Sequence, residues 1–147
     1  MLFIKLEKIN KENNTISYEY TCSNKLNKYF NQEERFTIHY SYNIENIPDS
    51  IASLAFIGNV APIAWLTNAE LIIPQTDKSF YDNYEALKQA FANMYPNLKF
   101  EGKLTTTPIE NNQQKPIGKP ITLFSGGVDA WHTLIRHLDE KPILATF

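Results

Sequence analysis

Six consecutive residues, Ser125, Gly126, Gly127, Val128, Asp129 and Ala130, carry the clearest chemical signal in the sequence. They lie between a continuous apolar run, residues 121–124, and a segment in which Val128, Trp131, Leu134, Ile135 and Leu138 recur at helical spacing. A strand that turns at once into a helix leaves the first backbone amides of that helix unpaired. The positive end of the helix dipole draws an anion toward them. Gly126 and Gly127 put no side chain between those amides and a phosphate and can take positive φ, while Ser125 can donate a hydroxyl. Asp129 would repel a bare phosphate, so its presence predicts a magnesium ion bridging the carboxylate and phosphate oxygens. The expected site is therefore a phosphate-binding turn of these six residues, with Asp129 as the metal ligand.

Two plainer readings compete with this one. Paired glycines at such a turn can serve only a tight bend and close helix packing. A chance match of Ser, Gly, Gly and Asp in fixed positions is expected in roughly a quarter of a percent of chains of this length, so coincidence explains the motif poorly. His132 follows in the same helix and reads as a surface or packing residue. Cys22, the single cysteine, sits in a strand-like Tyr-Glu-Tyr-Thr-Cys-Ser context with no nucleophile loop around it. It reads as a packing residue, and it can form no intramolecular disulfide, which suits a reducing cytoplasm.

The elements that must hold the turn follow from periodicity. Leu2, Ile4 and Leu6 alternate with Phe3 and Lys5, and Ile16, Tyr18 and Tyr20 alternate with polar neighbours, as in half-buried strands. Residues 10–14 (NKENN) read as the hairpin turn between them. A third alternating run puts Phe36, Ile38, Tyr40 and Tyr42 on one face, so an antiparallel sheet is expected to open the chain. Asp49 or Ser50 can cap a helix from Ile51, apolar nearly all round and so expected inside, with Pro62 kinking or ending it. Residues 69–73 read as a strand stopped by Pro74. Thr76 or Asp77 then caps a helix striped by Phe80, Tyr84, Leu87, Phe91 and Met94. Residues 98–106 read as a further strand. The polar stretch 107–119, broken by Pro108, Pro116 and Gly118, reads as a linker, and a β-α-β unit from 121 to 147 follows. The expected organisation is an α+β domain over 1–106, a linker over 107–119, and an α/β unit over 120–147.

Composition narrows the function classes. With 147 residues, 43% of them hydrophobic, the chain can bury a core. A formal net charge of -2 and the lack of a basic patch argue against general attraction to nucleic acid or anionic lipid. Tyr18, Tyr20, Tyr40 and Tyr42 would suit a stacking platform for single strands, but no basic rows flank them, and sheet-core aromatics is the better reading. The apolar run 51–66 is interrupted by Ser53, Gly58, Asn59 and Pro62 and falls short of the roughly 20 residues of a spanning helix. The first residues carry charge too early for a secretory signal. No membrane partner and a cytoplasmic location are expected.

Ser125, Gly126, Gly127 and Asp129 match the SGGxDS pattern of the PP-loop ATP pyrophosphatases, an adenine nucleotide alpha hydrolase-like superfamily, with Ala130 in place of the final serine. Residues 120–147 resemble the start of that family's doubly wound, Rossmann-like domain, as found in 7-cyano-7-deazaguanine synthase and the asparagine synthetase C-domain. Residues 47–96, with NVAPIAWLTNAEL, are also similar to the leading domain of bacterial PP-loop-related proteins, including the muramoyl-peptide glutamate epimerase group. The resemblance implies ATP and magnesium as cofactors and cleavage of ATP to AMP and pyrophosphate. A carboxylate, carbonyl or nucleobase substrate would be adenylated, as in ligases. Ser125, Gly126 and Gly127 would hold pyrophosphate, and Asp129 would help place magnesium. Such a domain takes about five strands, and two follow the linker, so an incomplete domain, an N-terminal portion of an adenylating enzyme, is expected. The isolated chain is then expected to bind ATP weakly without turnover, and its uncovered apolar helix would favour a homo-oligomer. The alternative is a non-catalytic nucleotide-binding or protein-interaction module with a degenerate loop.

Overall fold

A computed structural model describes residues 1–30, 35–112 and 119–146. The chain divides into two compact units, Met1–Asn112 and Gln113–Phe147. The architecture is mixed α/β, with a five-stranded mixed sheet in the first unit.

Alternation of apolar and polar residues builds the first unit. Strand β1 (Leu2–Glu12) buries Ile4 and Leu6, and β2 (Thr15–Cys22) buries Ile16 and Tyr18. They pair antiparallel, with Ile4 opposite Cys22 and an irregularity between Leu6 and Lys8. The expected turn over residues 10–14 is tighter than the sequence indicates. β1 runs on to Glu12, and Asn13 and Asn14, at φ 51° and 59°, form the turn. Two consecutive left-handed residues match the twist of a two-residue hairpin, and asparagine tolerates that conformation. β3 (Phe36–His39) joins β2 antiparallel, with Ile38 opposite Ile16.

Helix α1 (Asp49–Thr67) then crosses the sheet and returns the chain as β4 (Ala69–Ile73), which lies parallel to β1. After β5 (Thr76–Asp77), helix α2 (Lys78–Met94) makes a second crossover to β6 (Lys103–Thr106), parallel to β4. The strand order is β3-β2-β1-β4-β6. The sheet is thus mixed rather than antiparallel throughout, because each long helical crossover returns its strand in the same direction. Its inner face, with Ile4, Leu6, Ile16, Tyr18, Leu71 and Ile73, meets Phe56, Ile57, Val60 and Trp65 of α1. The other face carries polar pairs such as Lys5 with Glu7 and Lys103 with Glu70.

Of the two expected effects of Pro62, a kink or an end, the second is overturned, because α1 runs on through it from Asp49 to Thr67. A proline here leaves the carbonyl of residue 58 without its helical donor. Gly58 is exposed, so water can reach that carbonyl and the loss is softened. Neither expected cap starts α1. Pro48 is the cap residue and its carbonyl accepts the Ile51 and Ala52 amides. Asp49 instead pairs with Lys11 at 2.7 Å, tying the helix to the hairpin. By length and composition α1 is apolar enough to cross a membrane, and half of its most apolar window is buried in the unit.

Asp77 caps α2 by accepting the Phe80 amide at 3.2 Å. Phe80, Tyr84 and Phe91 pack inward as their spacing predicts, whereas Leu87 and Met94 are exposed. The strand expected over 98–106 is confined to Lys103–Thr106. Ahead of it Gly102 takes φ 42°, and the Glu101 amide is claimed by the Trp65 carbonyl. Part of the expected linker is ordered structure. β7 (Ile109–Glu110) pairs parallel with β5, and the Asn112 side chain bonds Ser50 and Asp77. Pro116 and Gly118 lie outside the described residues.

In the second unit β8 (Ile121–Leu123) and β9 (Ile143–Ala145) pair parallel, Thr122 opposite Leu144, joined by α3 (Val128–Arg136) and a short 3-10 turn, Leu138–Glu140. This is a β-α-β unit. Phe147, expected at the end of its second strand, lies outside the described residues.

Candidate phosphate loop

The Phe124 amide donates to the Ala145 carbonyl at 2.8 Å, so the parallel ladder holds the chain up to the last residue before the turn. Phe124 then meets Trp131 edge-on, with ring centroids 5.0 Å apart, which fixes the start of α3 over the end of β8. Between these anchors the chain must reverse within three residues. Gly126 does so at φ 79°, a conformation that would strain any residue with a Cβ.

Gly127 is the cap residue of α3 and offers no side chain to the helix amides. The Trp131 amide reaches the Gly127 carbonyl at 3.1 Å. The amides of Val128, Asp129 and Ala130, ahead of it in the first turn, have no backbone acceptor among the described residues. Ser125, Gly126, Gly127, Val128 and Asp129 are exposed. The Ser125 hydroxyl oxygen accepts the Gly127 amide over a long 3.5 Å, which keeps the hydroxyl beside the turn with its own proton available. A Cβ built on Gly126 would meet nothing within 4 Å, so the turn faces open space.

All six expected residues thus fall on one strand-to-helix turn. Ala130 differs from the other five in being buried, at 9% exposure, so its methyl group packs against the unit. The Asp129 side chain has no hydrogen-bond or ion-pair partner among the described residues. Its position in the first turn of α3 lets the carboxylate complement the helix dipole on its own, and an incoming phosphate would compete with it unless a cation bridged the two. Among the described residues no three His, Cys, Asp or Glu side chains gather in a metal cluster. The donor set nonetheless suits magnesium, which commonly takes one or two carboxylates and completes its shell with phosphate oxygens and water. His132 is exposed on α3.

Cys22 behaves as its context suggests. Its thiol donates to Asn27 Oδ1 at 3.3 Å, and burial pushes its pKa up, the opposite of what an activated nucleophile requires. Tyr18, one of the four tyrosines weighed as a stacking platform, is 2% exposed and donates its hydroxyl to the Ala52 carbonyl, which makes it core. The structure also opens an aromatic cavity in the first unit that periodicity does not reveal, because its walls come from separate elements, β2, residues 29–30, the start of β3 and α1.

Comparison of the chain with protein-family models, curated proteins and solved structures gives no match.

Proposed function

We propose that the turn of residues 125–130 binds the phosphates of ATP together with magnesium. In this reading the chain contributes the opening β-α-β unit of an ATP pyrophosphatase of the PP-loop type. The observation that supports it is the conjunction of Gly126 at φ 79° with the unclaimed amides of Val128, Asp129 and Ala130 directly after a parallel strand. Ser125, Gly126 and Gly127 would hold the pyrophosphate part, and Asp129 would hold magnesium, which when bound would supply neutralisation of the phosphate charge. The chain's own residues orient the phosphates for in-line attack at the α-phosphorus by a carboxylate, carbonyl or nucleobase oxygen.

A second reading is favoured by the apolar surface of the same unit. Ile121, Leu123, Ile135 and Ile143 are each more than half exposed, as a strand pair and helix awaiting cover would be. On that reading the turn serves a protein-interaction module, with a second copy of the chain as one partner.

Titration of the chain with magnesium pyrophosphate and with magnesium-ATP, followed by calorimetry, separates the two. The first reading expects weak, magnesium-dependent binding that Gly126→Asp and Asp129→Ala abolish, with no AMP released by the chain alone. Binding untouched by both substitutions, or no binding at millimolar pyrophosphate, overturns it.

A further inference from the structure

The first unit contains a cavity of about 300 Å³ between β2, β3 and α1, remote in sequence from the phosphate turn. Phe56, fully buried, forms its floor. Tyr20 and Phe36 stand against that floor with ring centroids 5.5 and 6.0 Å away, and Phe30 meets Tyr20 at 5.2 Å. These spacings are those of rings packed on one another, so the cavity lies beside the cluster and is lined by its outer faces and edges. Burial pushes the Tyr20 phenol pKa up, so its hydroxyl stays protonated as a donor.

Among the described lining residues, Arg35 and Asn59 add polar side chains to these rings. Arg35 is exposed, and its guanidinium makes no hydrogen bond or ion pair with another described residue. Asn59, on an exposed turn of α1, spends its amide N–H on the Ala55 carbonyl at 2.8 Å, which leaves its side-chain oxygen as an acceptor. A guanidinium is planar and weakly hydrated, and it pairs with a carboxylate through two parallel hydrogen bonds. Small-molecule sites combine such apolar walls with a few placed polar groups, and a volume of this size lies at their lower end. The cavity is too small for a nucleoside triphosphate, and among its described lining residues Arg35 is the one cation, where a triphosphate needs several.

We propose that this cavity is a binding site for a small planar aromatic carboxylate, with the ring laid against the open sides of Tyr20, Phe30 and Phe36, the carboxylate on Arg35, and a ring N–H or O–H on Asn59. The site is independent of the phosphate turn, and its failure would leave that reading unchanged.

The test uses the full chain and two probes of equal shape, 2-naphthoate and its neutral amide, observed by saturation-transfer NMR and calorimetry. 2-Naphthoate is expected to bind with a dissociation constant on the order of 100 µM, and the amide about tenfold more weakly. Arg35→Gln should bring the carboxylate down to the level of the amide. Asn59→Trp, a change at an exposed helix position, should close the cavity to both probes while the circular dichroism spectrum stays that of the parent. No saturation transfer from millimolar 2-naphthoate, or undiminished binding in Arg35→Gln, overturns the proposal.

Discussion

Trp65 of α1 donates its indole N–H to the Tyr84 hydroxyl of α2 at 2.8 Å, and the two rings lie 5.5 Å apart. Both residues are almost fully buried. Phe91 packs on the same indole, and the Trp65 carbonyl accepts the Glu101 amide, so one residue joins both helices and the approach to β6. A buried donor is inexpensive only while it is paired, and here the pair is also the link between the two crossovers that make the sheet mixed.

Tyr84→Phe keeps the ring and removes the acceptor. The indole N–H is then left unpaired inside the core, which is expected to cost about 1–3 kcal/mol. Urea unfolding followed by circular dichroism measures this directly. A midpoint identical to that of the parent would show that water takes over the hydroxyl's place.

A second polar link sets the acid limit of stability. The Asp77 carboxylate accepts the Phe80 amide at 3.2 Å and Asn112 Nδ2 at 3.0 Å, while Asn112 also reaches the buried Ser50 hydroxyl at 2.9 Å. Burial by itself would raise the Asp77 pKa, and the hydrogen bonds from Asn112, Phe80 and Ser79 outweigh it and hold the carboxyl below its ordinary value. A carboxyl with a lowered folded-state pKa stabilises fully above its unfolded value, about 3.9, and loses that contribution as pH falls through the folded value. Stability is therefore expected to decline below about pH 4, and Asp77→Asn should flatten the decline in that window. At neutral pH the same variant keeps the cap, since asparagine caps about as well as aspartate, but turns the charge-assisted hydrogen bond from Asn112 into a neutral one, an expected loss of about 1 kcal/mol. An equally steep acid limb in Asp77→Asn would assign it to other carboxylates.

Much of this frame is legible in the sequence where one period dominates. Ile4 with Leu6, Ile16 with Tyr18, and Phe80 with Tyr84 announce their elements, because each faces a single core and repeats at the strand or helix interval. Direction is not legible in that way. Nothing in residues 69–73 says that β4 runs parallel to β1, since that follows from the length of α1 and from packing across it. Pro62 misleads because its cost depends on whether the carbonyl of Gly58 can be solvated, a tertiary fact. Residues 107–112 are polar and broken by proline, yet Ile109 and Glu110 pair with β5 and Asn112 satisfies Asp77, contacts that no local pattern encodes. The turn at Gly126 is legible because strand, glycines and helix are contiguous. The cavity at Arg35 is not, because its walls meet only in three dimensions.

Gly102 tests the junction between α1 and β6. It takes φ 42°, and an added Cβ would press on the Ala64 carbonyl oxygen, lie 2.8 Å from the Ala64 carbonyl carbon and 2.9 Å from the Ala69 carbonyl oxygen. All are backbone atoms, which cannot swing aside as a side chain would. Gly102→Ala combines that overlap with a strained φ, and a loss of about 3 kcal/mol or more is expected in urea unfolding. A loss below about 1 kcal/mol would show that the residue 98–102 segment can shift as a body.

Gly126 gives the complementary case, in which space is free and only the backbone objects. Its φ of 79° disfavours an L-residue, yet a Cβ there meets nothing within 4 Å, so the cost of Gly126→Ala should be conformational alone, about 1 kcal/mol. Alanine relieves that cost by relaxing φ toward negative values, which would turn the peptide after residue 126 and disturb the alignment of the Val128, Asp129 and Ala130 amides. In amide-resolved NMR, magnesium pyrophosphate is expected to shift those three resonances in the parent chain and to shift them several-fold less in Gly126→Ala. The core resonances of Ile4, Leu71 and Trp65 should be unmoved in both. Equal shifts in parent and variant would mean that the positive φ has no part in presenting the amides, and the phosphate role would then have to rest on Ser125 and Asp129 alone.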